Sequence, residues 1–177
     1  MCVEVPVVIE AGLLVIGYGN TLRRDDGVGP RVAEAVEALN LPSVRTLVSQ
    51  QLNPEHADPI ARVSRVVFVD AAVDCLDGVK LRKLEPGKTT QLMAHAADPC
   101  TMLALARDVF GHAPEAWWLT IPAINLAFGT DLSPEAEAGF DAAMAEIRRI
   151  AAGNCPPEGK IRGVAGNRRE VCAIVPV

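Results

Sequence analysis

Two adjacent carboxylates, Asp25 and Asp26, follow the first apolar stretch of the chain, in the segment "VIGYGNTLRRDDGVGP". A third carboxylate, Asp70, ends the apolar segment "VVFVDA", and His95 lies in the polar segment "MAHAADPC". A carboxylate at the end of an apolar strand must be paired, protonated or bound to a cation, unless it only caps the next turn. Carboxylate and imidazole ligands together suit a divalent ion such as nickel, zinc or manganese. The residue types therefore indicate metal binding, while their wide separation along the chain gives only weak support.

The same segment resembles a dinucleotide-binding turn only in part. Gly17 and Gly19 match the first two glycines of G-x-G-x-x-G, but Leu22 stands at the third position. Asp25 and Asp26 would lie where a pyrophosphate binds, and their negative charges would repel it. The sequence also lacks the G-K-[ST] of a phosphate-binding loop. We therefore expect this loop to receive a cation rather than a nucleotide.

Alternating hydrophobic patterns predict the elements that position these residues. The run "GLLVIGYG" is typical of a strand covered on both faces, and a helix with apolar positions starting at Val28 follows it. The other predicted strands are "SVRTLVS", "RVVFVDA", "GVKLRKLE" at an edge or in a hairpin, and "AWWLTIPAI". The other predicted helices are "NPEHADPIARV", "PCTMLALARDVFG" and a long one from Ser133 to about Ala152.

This alternation predicts an α/β fold: a single-domain, mostly parallel twisted sheet with helices on both faces, a three-layer sandwich. The predicted domain covers residues 1–152, and a tail rich in Gly, Pro and Arg follows at 153–177. A chain of 177 residues is long enough for one such domain. Within the tail, "EVCAIVPV" is compatible with a late strand.

Composition excludes several classes of function. The net charge of -5 and the lack of a basic stripe argue against nucleic-acid binding. The apolar runs are shorter than the span of about 20 residues that crosses a membrane, and from the pattern of the first residues we expect no export signal. The five cysteines are scattered and form no C-x-x-C pair, which favours neither disulfides nor a zinc knuckle. We expect a soluble, cytoplasmic monomer.

Three segments in order, "GYGNTLRRDDGVGPRVAEAV", "VVFVDAAVDCLDGV" and "AHAADPCTMLALARDVFG", resemble the [NiFe]-hydrogenase maturation endopeptidases. The similarity extends from about residue 13 to residue 150, and "LTIPAINLAFGTDLSPE" also resembles the late strand and loop of that family. The stretch G-x-G-N-x-L-x-x-D-D-G is the specific signature. The segments around Asp70 and His95 give weaker support for the resemblance individually, and the order of all three segments along the chain strengthens it.

The resemblance implies a cytoplasmic protease that removes a C-terminal peptide from a hydrogenase large-subunit precursor after nickel has been inserted. By motif position, the nickel-recognising groups fall on Asp26, Asp70 and His95. Asp26 and Asp70 are also the candidate catalytic carboxylates. The position of Asp26 is Glu in some family members, which would reach one methylene further. The resemblance also implies that nickel arrives with the substrate rather than being stably held by the protease.

Two readings of the mechanism and two rival functions stay open at this point. No Ser-His-Asp or Cys-His arrangement can be assembled from the motifs, and no H-E-x-x-H is present, so metal-assisted hydrolysis is expected. Nickel would then serve as a recognition mark, as a Lewis acid, or as both. The rivals are a non-enzymatic nickel chaperone for hydrogenase assembly and a nucleotide-dependent enzyme, which the missing third glycine disfavours.

Neighbouring residues are given supporting roles. Asp25 is expected to orient the loop or to cap the first helix. Gly17, Gly19 and Gly27 are expected to permit the tight turn. Arg23 and Arg24 are expected to pair with Asp25 or to be solvated. Gln51 and Asn53 are expected to line the cleft, and His56 is expected to lie at the surface. Trp117 and Trp118 are expected to face opposite sides of a strand.

Overall fold

The structure is a computed structural model that describes residues 10–73, 78–87 and 98–154. His95 and most of the tail lie outside these residues, as do all of the cysteines except Cys100. The predictions that concern them are therefore not tested by the structure.

Within the described ranges, strands and helices alternate as the hydrophobic pattern predicts. The strands are β1 Glu10–Tyr18, β2 Val44–Ser49, β3 Val63–Ala72, β4 Lys80–Leu84 and β5 Glu115–Pro122. The α-helices are α1 Val28–Ala38, α2 Ala57–Ala61, α3 Pro99–Phe110 and α4 Pro134–Ala151. Short 3-10 turns at Arg24–Gly27 and Pro54–His56 precede α1 and α2.

The strands form one sheet in the order β2-β1-β3-β5-β4. β1 pairs in parallel with β2 and β3, and β3 pairs in parallel with β5. β4 pairs only with β5 in this order and runs antiparallel to it, which confirms its predicted place at an edge. The fold class predicted from the sequence, a mostly parallel sheet in an α/β fold, is confirmed.

Helices cover both faces of the sheet because alternate residues of each central strand point to opposite sides. One core contains Ile16 and Phe68 and packs against residues of α2 and α3. The other contains Val15 and Val67 and packs against residues of α1 and α4. The adjacent tryptophans divide in the same way, as expected: Trp117 belongs to the second core, and Trp118 packs at the edge of the first. The result is a three-layer sandwich.

The ends of the longer helices follow local sequence signals. α3 ends at Gly111, whose φ of 78° lies in the left-handed region that glycine adopts readily. α4 begins after Ser133, whose Oγ accepts a hydrogen bond from the backbone N–H of Ala136 at 3.2 Å. Pro134 follows in the first turn, where its missing N–H costs nothing. No helix in the described residues is long and apolar enough to span a membrane.

The expected surface position of His56 is wrong. Its side chain is only 7% exposed, because it folds back under the start of α2. Nδ1 of His56 accepts a hydrogen bond from the backbone N–H of Asn53 at 2.9 Å, so the two residues cap this turn together. Burial lowers the pKa of His56, which favours the neutral form that can accept this bond.

Candidate functional site

The strand order creates a switch point between β1 and β3. The chain leaves β1, passes through α1 and joins β2 on one side, whereas β3 lies on the other side of β1. Sites in open parallel sheets lie at such points, beyond the carboxyl ends of the strands. Asp26 lies in the loop that follows β1, and Asp70 lies near the end of β3. The fold therefore places both candidate carboxylates at this edge of the sheet.

Close packing of glycines brings the loop with Asp26 to the sheet. A Cβ atom at Gly17 would lie 2.1 Å from the carbonyl oxygen of Gly29, so the start of α1 lies directly on β1. Gly19 has a φ of 139°, and a Cβ atom there would lie 2.0 Å from the carbonyl oxygen of Asp26. Gly17 thus permits the close approach of α1 to β1, and Gly19 permits a turn. The sequence predicted a turn at both positions and did not predict the close approach at Gly17.

Asp26 itself is partly exposed beside the switch point. Its Oδ2 accepts a hydrogen bond from the backbone N–H of Asn20 at 3.1 Å, which ties the carboxylate to the start of its own loop. A carboxylate oxygen can accept further interactions, so this bond leaves ligand capacity on the side chain.

Asp70 is the group whose acidity the fold changes most clearly. The pKa of Asp70 is raised to about 7: burial is the largest cause, the charge of Asp26 adds to it, and hydrogen bonds from the Tyr18 hydroxyl and the Ala71 N–H partly oppose it. The Ala71 N–H donates to Oδ1 of Asp70 at 2.8 Å. A carboxyl group that titrates near neutral pH can accept or donate a proton in a reaction. The electrostatic effect of Asp26 also shows that the two carboxylates act on one another.

Asp25 has a structural role, although it adjoins Asp26 in the sequence. It is fully buried, with 0% exposure. Oδ2 accepts hydrogen bonds from the backbone N–H groups of Ile124 and Asn125, both at 2.9 Å. The backbone N–H of Ser133 donates to Oδ1 at 2.7 Å, and its hydroxyl group donates to Oδ2 at 2.8 Å. Of the two expected roles, Asp25 therefore orients the loop, and it makes no side-chain cap on α1.

These bonds reverse the acidity that burial would give Asp25. Burial by itself raises the pKa of a carboxyl group, but the hydrogen bonds from Ser133, Asn125 and Ile124 together lower the pKa of Asp25 below its usual value. Asp25 therefore stays ionised and tied to the loop after β5. It is not available to a cation at the edge of the sheet.

The loop after β1 and the loop after β5 are also joined through their backbones. The N–H of Arg24 donates to the carbonyl oxygen of Gly129, and the N–H of Gly129 donates to that of Leu22, both at 2.9 Å. Arg24 forms its ion pair with Asp131, at 3.6 Å, and Nε of Arg23 donates to the carbonyl oxygen of Leu126. The expected pairing of these arginines with Asp25 is therefore wrong.

The sequence interpretation missed Tyr18, the last residue of β1. Gly17 pairs with Val69, so Tyr18 and Asp70 are the next neighbours across the two parallel strands. Tyr18 is 9% exposed, and burial, with the charges of Asp70 and Asp98, raises its pKa well above the usual value. The hydroxyl group therefore keeps its proton and acts as a donor. An apolar run reveals a strand but not its register, which is why this contact was not predicted.

The third predicted metal ligand, His95, lies outside the described residues. Within the described ranges, no group of three or more His, Cys, Asp or Glu side chains is arranged to hold a metal ion. The metal site formed by Asp26, Asp70 and His95 therefore stays a prediction. Gln51, which was expected to line the cleft, is exposed. It lies two residues after Ser49, the end of β2, which pairs with Tyr18 at the end of β1.

Comparison with solved structures finds the same fold in proteins named as hydrogenase maturation peptidases. The hydrogenase maturating endopeptidase HybD from E. coli is 21% identical, with a TM-score of 0.63, over 80% of this chain and 94% of that one. A hydrogenase 2 maturation peptidase from a Thaumarchaeota archaeon is 26% identical, with a TM-score of 0.59, over 81% of this chain and 99% of that one. The [NiFe] hydrogenase maturation protease HycI from Thermococcus kodakarensis is 19% identical, with a TM-score of 0.60, over 81% of this chain and 92% of that one.

No protein-family model matches the sequence, and no curated protein matches it as a relative. The structural matches nevertheless extend over most of this chain and nearly the full length of each neighbour. The chain has the fold of the hydrogenase maturation endopeptidases. The resemblance to this family that the three sequence segments indicate is confirmed.

Proposed function

We propose that this protein is an endopeptidase that removes a C-terminal peptide from the large-subunit precursor of a [NiFe] hydrogenase after nickel insertion. The observation that carries the proposal is the position of Asp26 and Asp70 on either side of the switch point, in a fold shared with proteins named as maturation endopeptidases. The peptidase activity, the precursor and the recognition of nickel are all parts of this proposal.

The two carboxylates have different environments, which suits a division of labour. Asp26 is partly exposed and tied to its own loop, so it can reach a cation presented from outside. Asp70 is held between two donors and has a pKa of about 7, so it can exchange a proton with water at neutral pH. In the proposed reaction, nickel belongs to the substrate, and Asp26, Asp70 and His95 recognise it while a carboxylate positions the water.

Charge supports recognition of a cation at this edge. Asp26 raises the pKa of Asp70 because two nearby negative charges disfavour one another. A divalent ion between them would remove this repulsion and add its own attraction to both. Three protein ligands leave coordination positions free, so the ion can stay attached to the substrate during inspection. The same argument predicts weak affinity for free nickel.

The proposal is tested with a nickel-loaded large-subunit precursor and mass spectrometry of the products. We expect the wild-type protein to release a C-terminal peptide and the Asp26→Ala variant to release none. Asp141→Asn is the matched control, because Asp141 is an exposed carboxylate on α4. It should cleave at the wild-type rate. An uncleaved precursor that binds the wild-type protein stoichiometrically would contradict the peptidase and favour the nickel chaperone.

A further inference from the structure

Tyr18 has a contact that simple core packing does not require. Leu14 and Ile16 precede it on the same face of β1 and are fully apolar members of the core with α2 and α3. Tyr18 belongs to that core as well, with only 9% exposure. A phenylalanine would fill the same space without bringing a hydroxyl group to the edge of the sheet. The hydroxyl group must therefore have a polar partner, as buried tyrosines usually do.

The register of β1 and β3, in which Gly17 pairs with Val69, places Tyr18 beside Asp70, and the hydroxyl group is hydrogen-bonded to that carboxyl group. The backbone N–H of Ala71 donates to Oδ1 of the same carboxyl group at 2.8 Å. Asp70 thus receives one donor from its own strand and one from β1, and a carboxyl group with two fixed donors has little freedom to rotate. Asp26 lies near enough to act on it electrostatically.

We propose that Tyr18 is a positioning residue whose hydroxyl group fixes the Asp70 carboxyl group in one orientation beside Asp26. The inference rests on the proposed function, because Tyr18 would affect peptide cleavage only through Asp70. Catalytic groups work when neighbouring side chains hold them close to the productive geometry. Loss of the hydroxyl group leaves the ring in the core but frees the carboxyl group to turn.

The test compares Tyr18→Phe with the control Ser64→Ala. Ser64 also joins β1 to β3, since its Oγ donates to the carbonyl oxygen of Gly12 at 3.0 Å and accepts from the Gly12 N–H at 3.2 Å. It lies near the start of β3, whereas Asp70 lies near the end. Both variants lose one hydroxyl group between the same two strands, and only Tyr18→Phe loses it at the candidate site.

Crystal structures and steady-state kinetics with nickel-loaded precursor provide the two readouts. Tyr18→Phe should lower kcat by about 10- to 100-fold, the range for a hydrogen bond to a charged group, and change KM by less than about twofold. Its crystal structure should show the Asp70 side chain turned or in more than one orientation. Ser64→Ala should keep the wild-type kcat and the wild-type orientation of Asp70.

An unchanged kcat in Tyr18→Phe, or an equal loss of kcat in Ser64→Ala, would overturn the inference. The crystal structures separate this failure from a failure of the proposed function. If the wild-type protein cleaves no precursor, a turned Asp70 in Tyr18→Phe still supports the positioning role. An Asp70 side chain in its wild-type orientation contradicts that role, whatever the protein does to the precursor.

Discussion

The carboxylate of Asp25 binds Ser133 through both of its oxygen atoms, although the two residues lie 108 positions apart in the sequence. Ile124 and Asn125 donate to the same carboxylate from the loop after β5. A single buried side chain therefore joins the loop after β1 to the start of α4. The neighbouring Asp26 gains a fixed position at the edge of the sheet from this anchor.

Asp25→Ala should destabilise the protein strongly. It leaves the backbone N–H groups of Ile124, Asn125 and Ser133, and the Ser133 hydroxyl group, without their shared acceptor, which costs about 2–4 kcal/mol in the free energy of unfolding. The matched control is Asp131→Ala, which removes an exposed carboxylate from the same loop region. It should change the free energy by less than about 0.5 kcal/mol. Urea unfolding measures both, and equal losses would contradict the anchoring role of Asp25.

The stability that Asp25 provides should depend on pH. Its folded-state pKa is lowered, so its contribution is complete above the unfolded-state value of 3.8 and is lost as the pH falls through the folded-state value. Urea midpoints measured from pH 7 downward should therefore fall more steeply at acid pH for the wild type than for Asp25→Asn. Parallel curves would show that the bonds to Asp25 do not favour its ionised form.

Gly17→Ala should be among the most damaging single-methyl additions in the chain. The new Cβ atom would lie 2.1 Å from the carbonyl oxygen of Gly29, so α1 must move away from β1. We expect a loss of about 3 kcal/mol or more in the free energy of unfolding. Gly78→Ala is the comparison: its φ is 102°, but nothing lies near the new atom, so only about 1 kcal/mol of backbone strain is added. Similar losses in both variants would contradict the close approach of α1.

Asp70→Asn should have opposite effects on stability and processing. The folded-state pKa of Asp70 is about 7 and its unfolded-state value is 3.8, so wild-type stability falls as the pH rises between these values. The Asn variant lacks this loss, so in metal-free buffer we expect its Tm to exceed the wild-type Tm at pH 8 but not at pH 4. Precursor cleavage should nevertheless be lost. A Tm difference that does not change with pH would contradict the raised pKa.

Much of the fold could be predicted because its signals are local. Apolar runs marked β1 and β3, and Gly111 and Ser133 marked helix ends at their observed positions. The edge position of β4 followed from its alternating side chains. These features depend on residues close in sequence, where periodicity and turn chemistry act directly.

The candidate site could be predicted only in outline, because its contacts join distant segments. Asp70 was recognised from its position at the end of an apolar run, whereas Asp26 was chosen over Asp25 by its motif position in the family that the segment resembles. The anchor on Asp25 uses mainly backbone N–H groups, which every residue except proline carries, so no residue type reveals it. The role of Tyr18 depends on the register of β1 and β3. Burial of His56 depends on a turn that returns the side chain to the core.

Side-by-side cleavage of nickel-loaded and metal-free precursor tests the central claim most directly. Wild-type protein should process the nickel-loaded precursor and ignore the metal-free one, because the charges of Asp26 and Asp70 require the cation that the substrate brings. Asp26→Ala and His95→Ala should process neither, while circular dichroism shows an intact fold. Equal cleavage of both precursors by the wild-type protein, or full activity of His95→Ala, would contradict nickel-gated processing.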